Sequence, residues 1–269
     1  MNNADAEAKL RNVEISFGES APIYDKSPYF AGPGRRIVEL AGISAGDRVL
    51  DIATGRGASL FPACERVGLQ GQVLGIDLAE PMIAATGAEI LRRGIRQASV
   101  QKMNAERLDL ADSSYDAVLC GFSLNFIPNL MGALLEVRRV LKPGGVFAAS
   151  SWGDMGDLNR AYRQVLRTYG AGVENLVSHS LGTPEALAAA LQEAGFAAVE
   201  AHDEAVTASF ASPEDWWERT GQRPQGTHML TPEQRRKLQQ EGMALAETFR
   251  SDGFIRDTRT AVLTTGRNP

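Results

Sequence analysis

The stretch Val49-Leu50-Asp51-Ile52-Ala53-Thr54-Gly55-Arg56-Gly57 decides how this chain folds. Arg48 to Ala53 reads as a short buried strand with Asp51 near its carboxyl end. Gly55 and Gly57 then form a turn, and Ser59 to Val67 predicts a helix. Strand, glycine turn and helix open a nucleotide-binding α/β sheet. Glycine bends the backbone sharply and lets a ligand approach where a Cβ would stand in the way. A carboxylate at that point can accept hydrogen bonds from a cationic or polyhydroxylated ligand. The turn reads Gly55-x-Gly57-x-x-Leu60, so the third glycine of the dinucleotide fingerprint is absent, which counts against NAD. A tight strand-to-helix connection would by itself ask for the same two glycines.

The segments that follow narrow the choice. Gln72 to Leu78 is a second strand ending in Asp77, placed to accept both hydroxyls of a ribose. Ala98 to Met103 and Tyr115 to Phe122 are apolar runs without alternation, as expected of strands buried on both faces. Asn129 caps a helix from Leu130 to Leu141 with an apolar stripe of Leu130, Leu134, Val137 and Leu141. Lys142-Pro143-Gly144-Gly145 ends it, and Val146 to Ser151 is a fifth strand. Strands alternating with helices predict an α/β fold built on a doubly wound parallel sheet.

In order and spacing, the glycine turn, Asp77, Asn104-Ala105-Glu106, Asp116 to Phe122 and Leu141 to Gly145 resemble the class I S-adenosylmethionine-dependent methyltransferases. The resemblance is to the small-molecule subgroup that holds ubiquinone and menaquinone C-methyltransferases and many natural-product enzymes. It runs from Ile37 to Trp152 and, more loosely, from Gly182 to Ala201. It implies a Rossmann-like sheet, mostly parallel with an antiparallel last strand, plus a helical cap.

The outer segments are organised around that core. Residues 1–34 read as an amino-terminal lid, helical from Ala4 to Val13, with Gly32-Pro33-Gly34 as a hinge. Residues 35–153 form the cofactor-binding core and residues 154–182 a helical cap insertion. Residues 183–269 complete the core around a second helical insertion at about 213–252. Thr183-Pro184, Ser212-Pro213 and Thr231-Pro232 each pair a capping hydroxyl with proline in the first turn. Ala198 to Phe210 and Arg256 to Thr265 are the closing strands.

Ligands of an open parallel sheet lie at the carboxyl ends of its strands. The resemblance implies S-adenosylmethionine as cofactor, with S-adenosylhomocysteine as its product. Asp51, Ala53, Gly55 and Gly57 would cradle the methionine part, Asp77 the ribose, and Leu78 and Met82 the adenine. Asn104 and Ala105 would meet the adenine edge, the backbone of Gly121 and Phe122 the methionine ammonium, and Tyr24 would close over the whole. Two positions depart from the family: Ala53 where glycine is usual, and Asn104 where aspartate is usual. Phe17, Tyr29, Asn125 and Trp217 are the expected acceptor-binding residues. His179 and His228, in the cover segments, are the candidate bases, with His202 on a strand as a further histidine.

The formal net charge of −5 comes with no basic, aromatic-interleaved tract, so a nucleic-acid partner is not expected. Cys64 and Cys120 make neither a disulfide framework nor a zinc site, and no metal is expected. No apolar run reaches the roughly 20 residues of a membrane span. The start of the chain is polar and acidic, unlike a signal peptide, and a cytoplasmic monomer or homodimer acting on a small molecule is the expectation. Three other functions stay open at this point: a cyclisation or rearrangement catalyst that keeps the cofactor, a non-catalytic binding protein, and an NAD-dependent oxidoreductase.

Overall fold

The computed structural model describes residues 3–171, 179–222, 227 and 230–269. Helix α1 (Asn3–Ser20) leads through a tight turn at Tyr24–Lys26 to α2 (Ala31–Leu40). Then β1 (Arg48–Ile52), α3 (Leu60–Val67), β2 (Gln72–Asp77), α4 (Glu80–Arg93) and β3 (Ala98–Lys102) alternate. The series continues with β4 (Tyr115–Gly121), α5 (Leu130–Val140) and β5 (Leu141–Trp152). Helix α6 (Asp157–Thr168) precedes α7 (Pro184–Glu193) and β6 (Ala197–Phe210). The chain ends with α8 (Pro213–Trp216), α9 (Pro232–Glu247), a two-residue strand β7 (Arg250–Ser251) and β8 (Phe254–Arg267).

The sheet order is β3-β2-β1-β4-β5-β8-β6, with β7 paired to β8 off the main path. Strands β3 to β5 run parallel, while β8 runs antiparallel to both β5 and β6. The chain reverses its direction of travel between β1 and β4, and that is where a parallel sheet opens a crevice. Alternate residues of each central strand feed two cores. Leu50, Val118 and Phe147 pack with Leu134 of α5 and Leu187 of α7. Val49, Leu119 and Ala148 pack with Ile37 of α2 and Leu60 of α3. Burial on both faces explains why these strands read as unbroken apolar runs.

Three local readings need correction. β3 is an edge strand whose side chains are half-buried or exposed, because nothing pairs with its outer rim. Gly32, Pro33 and Gly34 form no hinge but lie in the first turns of α2. Proline is tolerated there because its missing N–H has no partner to lose. Gly34 is small of necessity, since a Cβ would strike the carbonyl of Ala58 in the glycine turn. β5 begins at Leu141 rather than Val146, with a register shift that loops Lys142 to Gly145 out between Tyr115 and Ala117.

The two insertions after β5 and β6 pack on each other. Leu158 and Tyr162 of α6, Trp216 of α8 and Leu238 of α9 share a third core with Phe210 and Ile255 at the far ends of β6 and β8. Past Trp216 the helix widens into a π-helical turn at Trp217–Gly221. Gly221 permits it: a Cβ would lie 2.6 Å from the Trp217 ring.

The missing third glycine has a packing counterpart. Leu60 is fully buried where α3 crosses β2, and the room it needs comes from Gly75, whose Cβ would stand 2.5 Å from Leu60 Cδ1. Gly75→Ala should therefore cost about 1–3 kcal/mol by overpacking. Leu60→Ala should cost about 2–5 kcal/mol by leaving a cavity. In urea denaturation the double variant should lose less than the sum of the two, because they share one contact. Strict additivity would show that the two residues do not compete for space.

Candidate functional site

The glycine turn after β1 is held from within. Asp51 is fully buried, and its two oxygens accept from Thr54 Oγ1 at 2.6 Å and Ser59 Oγ at 2.7 Å. Asp77, at the end of β2, accepts from Gly55 N–H and Ala79 N–H, both at 2.9 Å. Thr86 of α4 donates to the Gly55 carbonyl at 2.7 Å. Burial pushes the Asp51 carboxyl up to about 6, against the pull of its two hydroxyl partners, and the charge of Asp77 adds to the rise. Burial likewise raises Asp77, opposed by the backbone N–H groups of Ala79 and Gly55.

Two non-glycine residues take left-handed backbone at neighbouring strand ends: Ala53 at φ 51° after β1 and Phe122 at φ 58° after β4. Such conformations cost roughly 1–3 kcal/mol each and persist where surrounding structure enforces them. Ala53 is enforced by the Thr54 N–H bond to the Ile76 carbonyl at 2.8 Å. Phe122 is enforced by its N–H on the Ser150 carbonyl at 3.0 Å and by its ring, stacked on Trp152 at 3.9 Å.

Two cavities open at these strand ends. The first is walled by Ala53, Gly55, Asp77, Leu78, Met82, Asn104 and Ala105, with Leu10, Val13 and Phe17 of α1 also lining it. Leu10, Val13 and Phe17 recur at helical spacing and so share one face of α1. The second runs along the glycine turn past Gly57, Ser59, Phe30, Gly121 and Phe122. Tyr24, Ala53 and Gly55 line both, so the cavities are two lobes of one crevice. The Tyr24 ring is stacked on Phe30 at 4.7 Å and set edge-on to Phe17 at 6.2 Å.

The residues singled out in the sequence fall into groups. Tyr24, Ala53, Gly55, Asp77, Leu78, Met82, Asn104, Ala105 and Phe17 face the first lobe, and Gly57 and Gly121 the second. Asp51 faces neither; it stands behind the turn and orders it. Asn125 lies in the Leu124–Phe126 turn, where its Oδ1 accepts from Ser151 Oγ at 2.8 Å. His179 reaches the same turn: its N–H donates to the Asn125 carbonyl at 3.3 Å. Its Nε2 sits 3.0 Å from the Ile127 carbonyl and 3.2 Å from that of Pro128. Two carbonyl acceptors require a proton on Nε2, and neither His179 nor Asn125 lines either lobe. His202 faces Glu204 at 3.0 Å on exposed β6, remote in chemistry from the crevice. His228 lies outside the described residues.

Tyr29 and Trp217 face neither lobe. Tyr29 is fully buried with its hydroxyl on Asp257, and Trp217 packs into the cap beside an open cleft with Ile23 and Arg236. The sequence reading passed over Thr54, Ser59 and Thr86. Hydroxyls flanking the glycines were the available signal for the first two; nothing local marks Thr86. Among the described residues, no group of three or more His, Cys, Asp or Glu could hold a metal ion. No described helix is long and apolar enough to cross a membrane.

Comparison with known proteins settles the family. The family described as "Methyltransferase domain" matches residues 50–149, the span that carries the crevice. Nocamycin O-methyltransferase of Saccharothrix syringae is 34% identical over 207 residues, covering 70% of this chain and 74% of that protein. The chain belongs to the S-adenosylmethionine-dependent methyltransferases. Its cofactor is S-adenosylmethionine.

Aklanonic acid methyltransferase of Streptomyces sp. strain C5 is 41% identical over 143 residues; the match covers 52% of this chain and 65% of that protein, just under two thirds of its length. A 2-phytyl-1,4-naphtoquinone methyltransferase of Synechococcus elongatus is 32% identical over 166 residues, covering 58% of this chain and 68% of that protein. Among solved structures, Haemonchus contortus phosphoethanolamine N-methyltransferase 2 in complex with S-adenosyl-L-methionine superposes with TM-score 0.61 at 18% identity, covering 90% of this chain and 54% of that one. The [4+2]-cyclase SpnF superposes with TM-score 0.63 at 18% identity over 97% of both chains. At such identities these two show the fold alone, and they agree with the mixed sheet described above.

The raised carboxyl at Asp51 yields a signed prediction. Its folded value of about 6 exceeds the ordinary 3.8, so between those values the folded protein holds a proton that the unfolded chain has released. Stability from this group is therefore present at low pH and lost as pH rises through about 6. Asp51→Asn should remove that loss, so the wild-type-minus-variant stability should fall by about 1–3 kcal/mol from pH 4 to pH 7. Urea denaturation of both proteins across that range measures it. A difference that does not change with pH would mean that Asp51 is not raised.

Proposed function

We propose that the protein transfers the methyl group of S-adenosylmethionine to a small hydrophobic or aromatic acceptor. The observation that carries the acceptor class is the aromatic tract over the strand ends. Phe17, Tyr24, Phe30 and Phe122 stand in ring contact in series, with Phe126 set against Phe17 at 5.3 Å. An acceptor entering beneath this tract meets ring faces and edges rather than charges. The relatives named for aklanonic acid, nocamycin and a naphtoquinone are consistent with an acceptor of this kind.

The residues present fit the cofactor. Leu78, Met82 and Ala105 offer an apolar slot for the adenine, and Asp77 has lone pairs left for ribose hydroxyls. Ser27 Oγ and Arg56 Nε are buried without a hydrogen-bond partner on the second lobe, where they can donate to the carboxylate of the methionine part. Bound there, the cofactor supplies an electrophilic methyl carbon on a sulfonium. The protein's own work is to align the acceptor with that carbon and keep water out. Tyr24 and Phe30 shield the junction of the lobes. Where the acceptor arrives protonated, His179, bonded to the Leu124–Phe126 turn, is the candidate base. The same pocket could serve a cyclisation, and product mass separates the two reactions: only methyl transfer gives a product heavier by one methylene.

S-adenosylmethionine and S-adenosylhomocysteine should each raise the melting temperature, since a ligand that binds only the native state stabilises it. NAD should leave it unchanged. A shift with NAD alone would sink the assignment.

Asp77→Ala should weaken cofactor binding by about 1–3 kcal/mol. Part of that loss comes through the Gly55 N–H, which the carboxylate now holds. Calorimetric titration of a folded variant that bound the cofactor as the wild type does would remove Asp77 from the site.

A further inference from the structure

Behind the aromatic tract lies a buried polar cluster that cofactor binding does not use. Asp257 is 2% exposed and Arg259 7%; both point to the same side of β8. Asp257 Oδ2 accepts from Tyr29 Oη at 2.6 Å and from Arg259 Nε at 2.9 Å. The Arg259 guanidinium lies over the Tyr29 ring, 3.8 Å from its centre. Asp257 Oδ1 is buried and has no partner, with Gly156 packed so close that a Cβ there would come within 2.7 Å of it. Burial holds the Tyr29 hydroxyl far above its ordinary range, so it remains a donor.

Such a cluster is a poor way to gain stability. Two desolvated charges and an unsatisfied oxygen are matched or beaten by apolar residues of the same volume. What the cluster does provide is direction. Tyr29 is gripped at its hydroxyl by a carboxylate and on its face by a planar cation, so its ring can neither tilt nor slide. Trp152 packs edge-to-face on that ring at 6.3 Å and 87°. Trp152 in turn stacks on Phe122 at 3.9 Å and 9°, and touches Phe30 at 6.2 Å. Phe122 and Phe30 form the wall of the second lobe, and Phe30 carries Tyr24, which lines both. Phe122 holds a left-handed backbone that needs outside support. The stack on Trp152 gives that support, and Trp152 takes its own setting from Tyr29.

We propose that Tyr29, Asp257 and Arg259 are positioning residues, which act through Trp152 to set Phe122, Phe30 and Tyr24 against the bound cofactor. The inference rests on the cofactor occupying the two lobes, as argued above. It also gives Tyr29 a role at the site without contact with any ligand.

Binding of S-adenosylhomocysteine by calorimetry, paired with melting temperature, tests it. Tyr162→Phe is the matched control: its buried hydroxyl donates to the Gly221 carbonyl at 2.8 Å, and its ring meets Trp216 and Trp217 of the cap. Both Tyr29→Phe and Tyr162→Phe should lower the melting temperature. Only Tyr29→Phe should weaken S-adenosylhomocysteine binding, by about 3- to 10-fold, and change the near-ultraviolet circular dichroism of the Phe122–Trp152 pair on binding. Arg259→Lys keeps the charge but loses the planar face, and should weaken binding to a similar degree. It serves as the second readout should Tyr29→Phe fail to fold. Wild-type affinity in Tyr29→Phe, or in Arg259→Lys, alongside a lowered melting temperature would make the cluster purely structural and overturn the proposal. A wild-type protein that did not bind S-adenosylhomocysteine would instead overturn the cofactor site itself.

Discussion

Two buried carboxylates holding one loop are the constraint on which the rest depends. Asp51 and Asp77 lie at the carboxyl ends of adjacent parallel strands: Asp51 accepts from the Thr54 and Ser59 hydroxyls of the glycine turn, and Asp77 from the Gly55 amide of that turn and the Ala79 amide at the start of α4. Without them the turn would have buried hydroxyls and N–H groups to satisfy and no rigid route from β1 to α3. With them, the loop is fixed before any ligand arrives, which reduces the ordering cost of binding. Their electrostatic cost is visible in both raised carboxyls. A cationic ligand beside them relieves part of that cost, since an opposite charge favours the ionised form. The loop is thus stiff and, in charge, incomplete, a fitting state for a site that receives a sulfonium and an ammonium.

The same turn explains why a dinucleotide fold can serve a different ligand. In the dinucleotide fingerprint the third glycine lets helix and strand approach. Here the approach is kept, but the small residue has moved to β2: Gly75 makes way for Leu60. Leu60 then adds a full side chain to the core under α3. Close packing fixes how much volume a crossing can hold, not which partner supplies it.

Most of the sheet could be read from the chain, and the reason is its double burial. Runs such as Val49–Ile52 and Ala117–Cys120 are apolar because helices cover both faces, and their termini are punctuated by glycine and acid. β3 was misread as an inner strand, although Ser99, Gln101 and Lys102 already mark it as partly exposed, and it ends the sheet. Gly32-Pro33-Gly34 misled for a different reason: two helix breakers sit in a helix start where proline costs nothing and glycine answers a contact with Ala58. Most crevice-lining residues were legible because the sheet brings the carboxyl ends of β1, β2, β3 and β4 together. Tyr29 was not. Tyr24 and Tyr29 look alike in sequence, and what separates them is a carboxylate 228 positions away that draws one ring into the core. Trp217 followed the cap core for a similar reason, since Trp216 and Trp217 both pack against Tyr162.

What closes the crevice is weaker than what builds it. The lid residue Asp25 reaches Arg56 of the glycine turn at 3.0 Å, but with 53% of its side chain exposed that pair is worth no more than about 1 kcal/mol. Tyr24 also stacks on Phe30 and sets its edge on Phe17, contacts worth about 0.5–1.5 kcal/mol each beyond burial. Phe30, by contrast, is anchored through Trp152 to the sheet and opens α2, whose Ile37 and Val38 lie in the main core. A boundary in stability therefore falls between Tyr24 and Phe30. Residues before it are tied to α4 and β3 by the Glu14–Lys102 pair and the Ala21, Ala79 and Met82 cluster, while residues after it cannot move without disturbing the sheet. Displacing Tyr24 from Phe30 would open the junction of the lobes and leave the wall in place to orient what enters.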